Sequence, residues 1–178
     1  MRVVRKKRLT ILGSIGLLFL CGLGFAKEKN EPNAAALLRI SFDKESYAPS
    51  EPILATFTLE NKSEQPILVN KRFFFNREEA AKEDREVFLT IVGPDGQRIA
   101  CTYTSEIGLP KTDFFVQIEP GSAVSSERPF NIRPFFALEK PGIYQVTGTY
   151  LNVYGKEIGL QAFEGPIVSA PASIKVTE

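Results

Sequence analysis

The sequence predicts an all-β chain, an antiparallel β-sandwich of about seven to nine short strands with one short helical insertion. Three observations carry that expectation. Apolar residues recur with period two from Leu37 to the end of the chain, Pro-Gly and Asp-Gly turn signals separate the runs, and helical periodicity is almost absent.

Ahead of the strands lies a different kind of segment. Arg2, Arg5, Lys6, Lys7 and Arg8 form a basic start, residues 9–20 an apolar run, and Gly24-Phe25-Ala26 a small-x-Ala ending before Lys27. That three-part order is a secretory signal peptide, residues 1–26, and the expected address is periplasmic or extracellular. The apolar run, interrupted by Gly13, Ser14 and Gly16, reaches at most about 18 residues, the lower limit for a spanning helix. A retained anchor and a lipid on Cys21 are the alternatives to cleavage, and only they would bring the domain to a membrane; large Phe19 and Leu20 precede Cys21 where a lipid-attachment site has small residues.

Cleavage after Ala26 changes the charge. The leader holds 5 of the 22 basic residues and none of the 21 acidic ones, which leaves 17 against 21, a net charge of −4. A weakly acidic domain with no dense Lys/Arg cluster has no electrostatic footprint for nucleic acid. Cys101 is then the single remaining cysteine, so no internal disulfide is expected and the thiol reads as a small buried hydrophobe. Residues 27–36 are polar and then alanine-rich, a flexible spacer before a domain at 37–178.

Within that domain Leu38, Ile40 and Phe42 alternate with Arg39 and Ser41, and Ile53, Ala55, Phe57 and Leu59 alternate with Leu54, Thr56, Thr58 and Glu60. Each run is a half-buried strand. Residues 66–72 and 87–92 are the third and fourth, the latter closed by Gly93-Pro94-Asp95-Gly96. Residues 97–103 return from that turn. Phe114, Val116 and Ile118 alternate before Pro120-Gly121, and residues 123–132 are expected to run antiparallel to them. Residues 143–152 and 167–176 complete the set. Residues 76–86 supply the helical insertion, with Glu78 and Lys82 four apart and Ala80-Ala81 between. Residues 104–112 form a loop with an apolar tip at Gly108-Leu109-Pro110, and loops on a rigid scaffold are where binding sites tend to sit.

Catalytic chemistry is excluded more readily than found. The absence of histidine removes Ser-His-Asp and Cys-His arrangements and the side chain best suited to proton transfer near neutral pH. One mature cysteine cannot build a thiolate metal cluster. Asp43, Asp84, Asp95 and Asp113 each sit beside a turn or a charged run and read as solvated or turn-capping groups rather than Ca²⁺ ligands. No enzyme, metal or cofactor is expected. Asn61-Lys62-Ser63 matches a glycosylation acceptor, but Asn61 also ends one strand and starts a turn. The mature chain keeps 12 of the 14 phenylalanines, among them Phe73-Phe74-Phe75, Phe114-Phe115 and Phe135-Phe136. Neighbours in a strand point to opposite faces, so each cluster turns at least one ring away from the core. Rings that converge there would mark a partner site.

The segment from Asp43 through Tyr47, Ala48-Pro49-Ser50 and Ile53, followed by a strand ending in Glu60-Asn61, resembles the opening of bacterial immunoglobulin-like and macroglobulin-like sandwich domains, with Ser50 where a glycine usually stands. Lys140-Pro141-Gly142-Ile143-Tyr144 resembles the start of the sixth strand in such domains. The resemblance implies an immunoglobulin-like sandwich in which the Tyr144 hydroxyl closes a corner on nearby backbone and Tyr144, Val146, Gly148 and Tyr150 face inward. Asn61, Pro120-Gly121 and Pro141-Gly142-Ile143-Tyr144 are also similar, in order, to the BsuPI-type family of bacterial proteinase inhibitors, whose central-strand aromatic would fall at Phe88; that similarity implies inhibition through a loop at one end.

The expected function is an exported, non-catalytic binding module whose partner is another exported or envelope protein. Its contact residues are expected among Phe73, Phe74, Phe75, Gly108, Leu109, Pro110, Phe135 and Phe136. A proteinase inhibitor and a structural subunit of an envelope assembly are the alternatives.

Overall fold

Period-two alternation becomes paired strands throughout residues 35–178, the residues that the computed structural model describes. The leader, Cys21 and residues 27–34 of the spacer lie outside them. Strand β1 (Ala36–Phe42) starts at the last residue of the expected spacer and pairs antiparallel with β3 (Leu54–Asn61), Ala36 opposite Asn61 and Phe42 opposite Ala55. In β3 every second side chain, Ala55, Phe57, Leu59 and Asn61, is buried, as the alternation requires. The free flank of β3 carries β8 (Ala123–Ser125) and β9 (Phe130–Asn131), completing the first sheet.

The facing sheet runs β2 (Ser46–Tyr47), β12 (Ala172–Val176), β10 (Gly142–Tyr150), β5 (Val87–Val92), β6 (Arg98–Ile99), with β11 (Ile167–Val168) also on β10. All its pairs are antiparallel except β2 with β12. Between the two sheets lie Leu38, Phe57 and Leu59 from one side and Ile91, Tyr144, Val146, Tyr150 and Ile174 from the other, each at most 1% exposed. At Gly148 of β10 the facing sheet is in close contact: a Cβ there would press into the end of the Ile40 side chain, and Leu38 lies 3.5 Å off. The result is an all-β sandwich.

A third, two-stranded sheet joins β4 (Ile67–Asn70) to β7 (Phe115–Ile118). Residues 123–132 therefore do not run antiparallel to residues 114–118. The turn at Pro120-Gly121, where Gly121 takes φ 74° and its N–H donates to Asn61 O at 3.0 Å, hands the chain across to β3. Asn61 itself is fully buried; its Nδ2 donates to Gln65 O and Ile118 O at 2.8 and 2.9 Å, so it is a strand-end lock with no free amide. Residues 167–176 divide into β11 and β12 rather than forming one strand.

Of the helical insertion expected over 76–86 only a 3-10 turn at Lys82–Asp84 forms, preceded by a separate turn in which Ala80 N donates to Arg77 O at 3.2 Å. The reason is competition from tertiary partners. Asn76 Nδ2 donates to Asp84 O and Ser105 O, Asn76 N donates to Val87 O, and Glu78 pairs with Arg98 instead of Lys82. Those bonds fix the segment at Asn76 and Asp84 against β5 and the 104–112 loop, and take Glu78 away from its helical partner.

Candidate functional site

β8 ends at Ser125 opposite Thr58, and β9 begins at Phe130 opposite Ala55. Residues 126–129 thus span only Thr56 and Phe57 of β3, and the surplus chain bulges off the sheet. Ser126 holds its base: its N–H donates to Phe57 O at 2.9 Å and its Oγ accepts from Phe57 N at 3.3 Å. Glu127 and Arg128 project from the bulge as one wall of a cleft.

The opposite wall follows β4. Lys71 N donates to Phe114 O at 2.8 Å, and the chain then reverses through Phe73, whose φ of 48° is the only positive value at a non-glycine among the described residues. A bulky side chain in that region costs on the order of 1–3 kcal/mol and persists only where its surroundings hold it. Here the Phe73 ring is buried, stacked on Phe57 at 6.4 Å and edge-on to Tyr150 at 5.9 Å. The backbone on each side is fixed as well: Arg72 N donates to Asn70 Oδ1 at 3.1 Å and Phe74 N to Glu86 Oε2 at 3.0 Å.

Glu86 is the anchor. It is fully buried, and its Oε1 accepts from Asn70 Nδ2 at 2.6 Å and from Arg72 Nε and Nη2 at 2.9 and 2.5 Å. Every lone pair of consequence is therefore met, which is the condition for a buried charge to be tolerated. Arg72 extends the brace outward: Nη1 donates to Gly108 O at 2.9 Å, and its guanidinium lies 5.5 Å from the Phe114 ring centre, 5.9 Å from Phe74 and 5.8 Å from Tyr154. Tyr150 exchanges hydrogen bonds with the Asn70 backbone, and burial raises its phenol pKa well above the ordinary value.

Between these walls lies a cleft of about 310 Å³. Phe57, Phe73 and Phe75 form its floor, half-buried Phe74, Tyr103, Phe114 and Phe130 its sides, and Lys71, Arg72, Glu127 and Arg128 its polar rim. A ring cluster continues from it, with Phe75 4.4 Å from Phe130 and Tyr103 4.4 Å from Phe135.

The expected contact residues fall into three groups. Phe73, Phe75 and Phe136 are 5%, 4% and 3% exposed: Phe73 and Phe75 are buried in the cleft floor, and Phe136 lies outside the lining, packed edge-on to Phe75 at 6.3 Å. Phe74 and Phe135 are half-buried, and of the two only Phe74 lines the cleft. Leu109 is 67% exposed, Gly108 is exposed and tied to Arg72, and Pro110 is buried, so the loop tip is one apolar side chain on a pinned base. Missing from the sequence reading were Arg72, Glu86, Phe130 and Arg128. The Lys71-Arg72 pair directly before three phenylalanines was the one local signal that pointed there.

Two other side chains bear on chemistry. Cys101 is half-buried, and burial raises its thiol pKa, away from the reactive thiolate. Arg85 lies 4.6 Å over the Phe88 ring with its Nε unpartnered, and burial lowers its guanidinium pKa. Among the described residues no three His, Cys, Asp or Glu side chains are grouped to hold a metal ion, and no helix is long and apolar enough to cross a membrane.

Fold and cleft together define a β-sandwich carrying an aromatic, cation-rimmed groove. No protein-family model matches the chain, and no curated protein matches it in sequence. Among solved structures, the β-glucosidase of Listeria innocua in complex with glucose aligns at 10% identity with a TM-score of 0.30, over 80% of this chain and 16% of that one. The chain thus spans about a sixth of that enzyme's length, and a likeness of this degree carries no argument about activity.

Proposed function

We propose that the chain is an exported, non-catalytic interaction module that holds a segment of another exported or envelope protein in the aromatic cleft. The observation that carries this reading is the rigid preparation of the cleft: the Glu86–Arg72 brace and the positive-φ turn at Phe73 set the rings in place before any partner arrives. Preorganised apolar surface binds at lower entropic cost than surface that must be ordered on contact. The leader supports export. The hydroxyl of Tyr144, which donates to Lys140 O at 2.8 Å, and the inward placement of Tyr144, Val146, Gly148 and Tyr150 support an immunoglobulin-like scaffold.

Affinity capture with the tagged protein from its own envelope fraction tests the proposal. One dedicated partner, retained by the native chain and lost with Phe74→Ser at unchanged thermal stability, is the expected result. A partner that binds the Phe74→Ser protein equally well sinks it.

A second reading, proteinase inhibition, has one observation in its favour: Leu109 is the most exposed large hydrophobic side chain among the described residues, and its loop base is held by Arg72 and buried Pro110. Titration against serine, cysteine and metalloproteinases, with Leu109→Asp as control, is expected to show no inhibition. Dose-dependent inhibition abolished by that substitution would put this reading first.

A further inference from the structure

We infer that the occupant of the cleft is an acidic peptide segment, one in which an aromatic or branched aliphatic side chain is flanked by Asp or Glu. The inference rests on the docking role proposed for the cleft and adds the chemistry of what docks. Its ground is the distribution of charge. Arg39, Lys44, Lys62, Arg98, Lys140 and Lys156 each pair with a carboxylate. Lys71 and Arg128 make no ion pair among the described residues, and neither do Arg77, Lys82, Arg85, Lys111, Arg133 and Lys175; what sets Lys71 and Arg128 apart is that both line the cleft, on opposite walls. Arg72 is neutralised from below by Glu86, and Glu127 is the rim's single carboxylate. Lys71, Arg72 and Arg128 against Glu86 and Glu127 leave the cleft net positive, whereas the exported chain, with 17 basic residues against 21 acidic, is net negative.

An incoming carboxylate would therefore meet Lys71 or Arg128 without displacing an existing ion pair. Complementary charge of this kind favours encounter and sets register more than it adds raw affinity. Between the two cations the rings ask for an apolar side chain. A volume of about 310 Å³ lies at the small end of ligand sites and suits one or two side chains of an extended segment.

The rings and hydroxyls of the cleft argue against a sugar. Phe75 and Tyr103 are tilted against Phe130 by 39° and 69°, so these rings share no flat platform for a pyranose face, and the one near-parallel pair in the cleft, Phe57 and Phe73, is the buried floor. The cleft holds only two side-chain hydroxyls, those of Tyr103 and Ser126, few for the several hydroxyls of a sugar.

The test uses the exported chain as bait for a phage-displayed random peptide library, followed by fluorescence anisotropy with the enriched peptide and two synthetic versions, Asp/Glu replaced by Lys and by Asn/Gln. Expected are enriched sequences that set Asp or Glu beside Phe, Tyr, Leu or Ile, and binding about tenfold weaker for the Lys version. Lys71→Gln with Arg128→Gln should give a similar loss at unchanged melting temperature, and added salt should weaken the native protein more than this double variant. Enrichment without acidic bias, or equal affinity for acidic and Lys versions, overturns the inference; if that binding still fails with Phe74→Ser, the docking role survives it. Binding indifferent to both Phe74→Ser and the double variant overturns both. A preference for an anionic oligosaccharide or for anionic lipid vesicles over every peptide overturns the inference in favour of those ligands.

Discussion

At the scale of single residues the molecule turns on Glu86. Its carboxylate draws four donors from Asn70, Arg72 and Phe74 into one point, and each belongs to the stretch that shapes the cleft wall. Glu86→Gln keeps the shape and removes the charge, leaving the Arg72 guanidinium, with 14% of its side chain exposed, without its counter-ion. Breaking one half of such a pair costs about 3–5 kcal/mol. Chemical denaturation should show a loss of that order, and hydrogen exchange should rise at Phe74 and around Gly108, the two backbone points the brace fixes. A variant as stable as the native chain would mean that the pair contributes no net stabilisation. Phe73 shows the complementary lesson: a local conformation that its residue type disfavours is held by bonds on either side and by a ring sunk into the core.

At the scale of elements, the inward phase of β3 and the corner at Tyr144 are the supports to test. Phe57 is 1% exposed and touches both the sandwich core and the cleft floor, so Phe57→Ala should cost about 3–5 kcal/mol. Tyr144→Phe removes one hydroxyl and its 2.8 Å bond to Lys140 O, for a loss of about 1–2 kcal/mol. Denaturant midpoints measure both, and an unchanged midpoint for Phe57→Ala would contradict the register. These elements were legible because their information is local: alternation at Leu38, Phe57 and Leu59 names the buried face, and Gly93-Pro94-Asp95-Gly96 closes on itself through Asp95 Oδ1 and the Gln97 N–H. The helix over 76–86 was misread because its Glu78–Lys82 spacing is a weak local preference, outbid by Arg98, Ser105 and Val87 from elsewhere in the chain. The cleft was half legible. Clustered phenylalanines announced surplus aromatic surface, but Phe130 and Arg128 join Phe74 and Phe114 only through a bulge whose length depends on where β8 and β9 meet β3, and no local pattern records that.

At the scale of the whole molecule, the tyrosines set the pH range over which the sandwich persists. Tyr47 is 1% exposed, donates to Asp43 Oδ1 at 2.9 Å and accepts from Lys44 N at 3.0 Å; burial, followed by the bond to Asp43, pushes its phenol up to about 12. Burial also raises the pKa values of Tyr144, Tyr150 and Tyr154. In the unfolded chain these phenols ionise near pH 10. Between that value and their folded values the unfolded state binds fewer protons than the folded one, so the stabilisation is fully present below about pH 10 and is lost as pH rises through about 12. Cys101, raised by burial, adds a loss of the same sign that begins near its ordinary thiol range. On the acid side the lowered carboxylates have the opposite sign. Asp95, held down by Lys140, and Glu51, held down by Lys44, support the fold above their unfolded values and cease to do so as pH falls through their lowered folded ones. They are surface pairs, each a small contribution. The chain is therefore expected to unfold more steeply in base than in acid. Denaturant midpoints followed from neutral pH upward should fall from about pH 10, with phenolate absorbance appearing together with loss of the β-sheet circular dichroism signal. Phenolate from more than one of the five tyrosines appearing near pH 10 while the sheet signal persists would show that the buried hydroxyls ionise in place, and that the corners at Tyr47 and Tyr144 do not hold the fold.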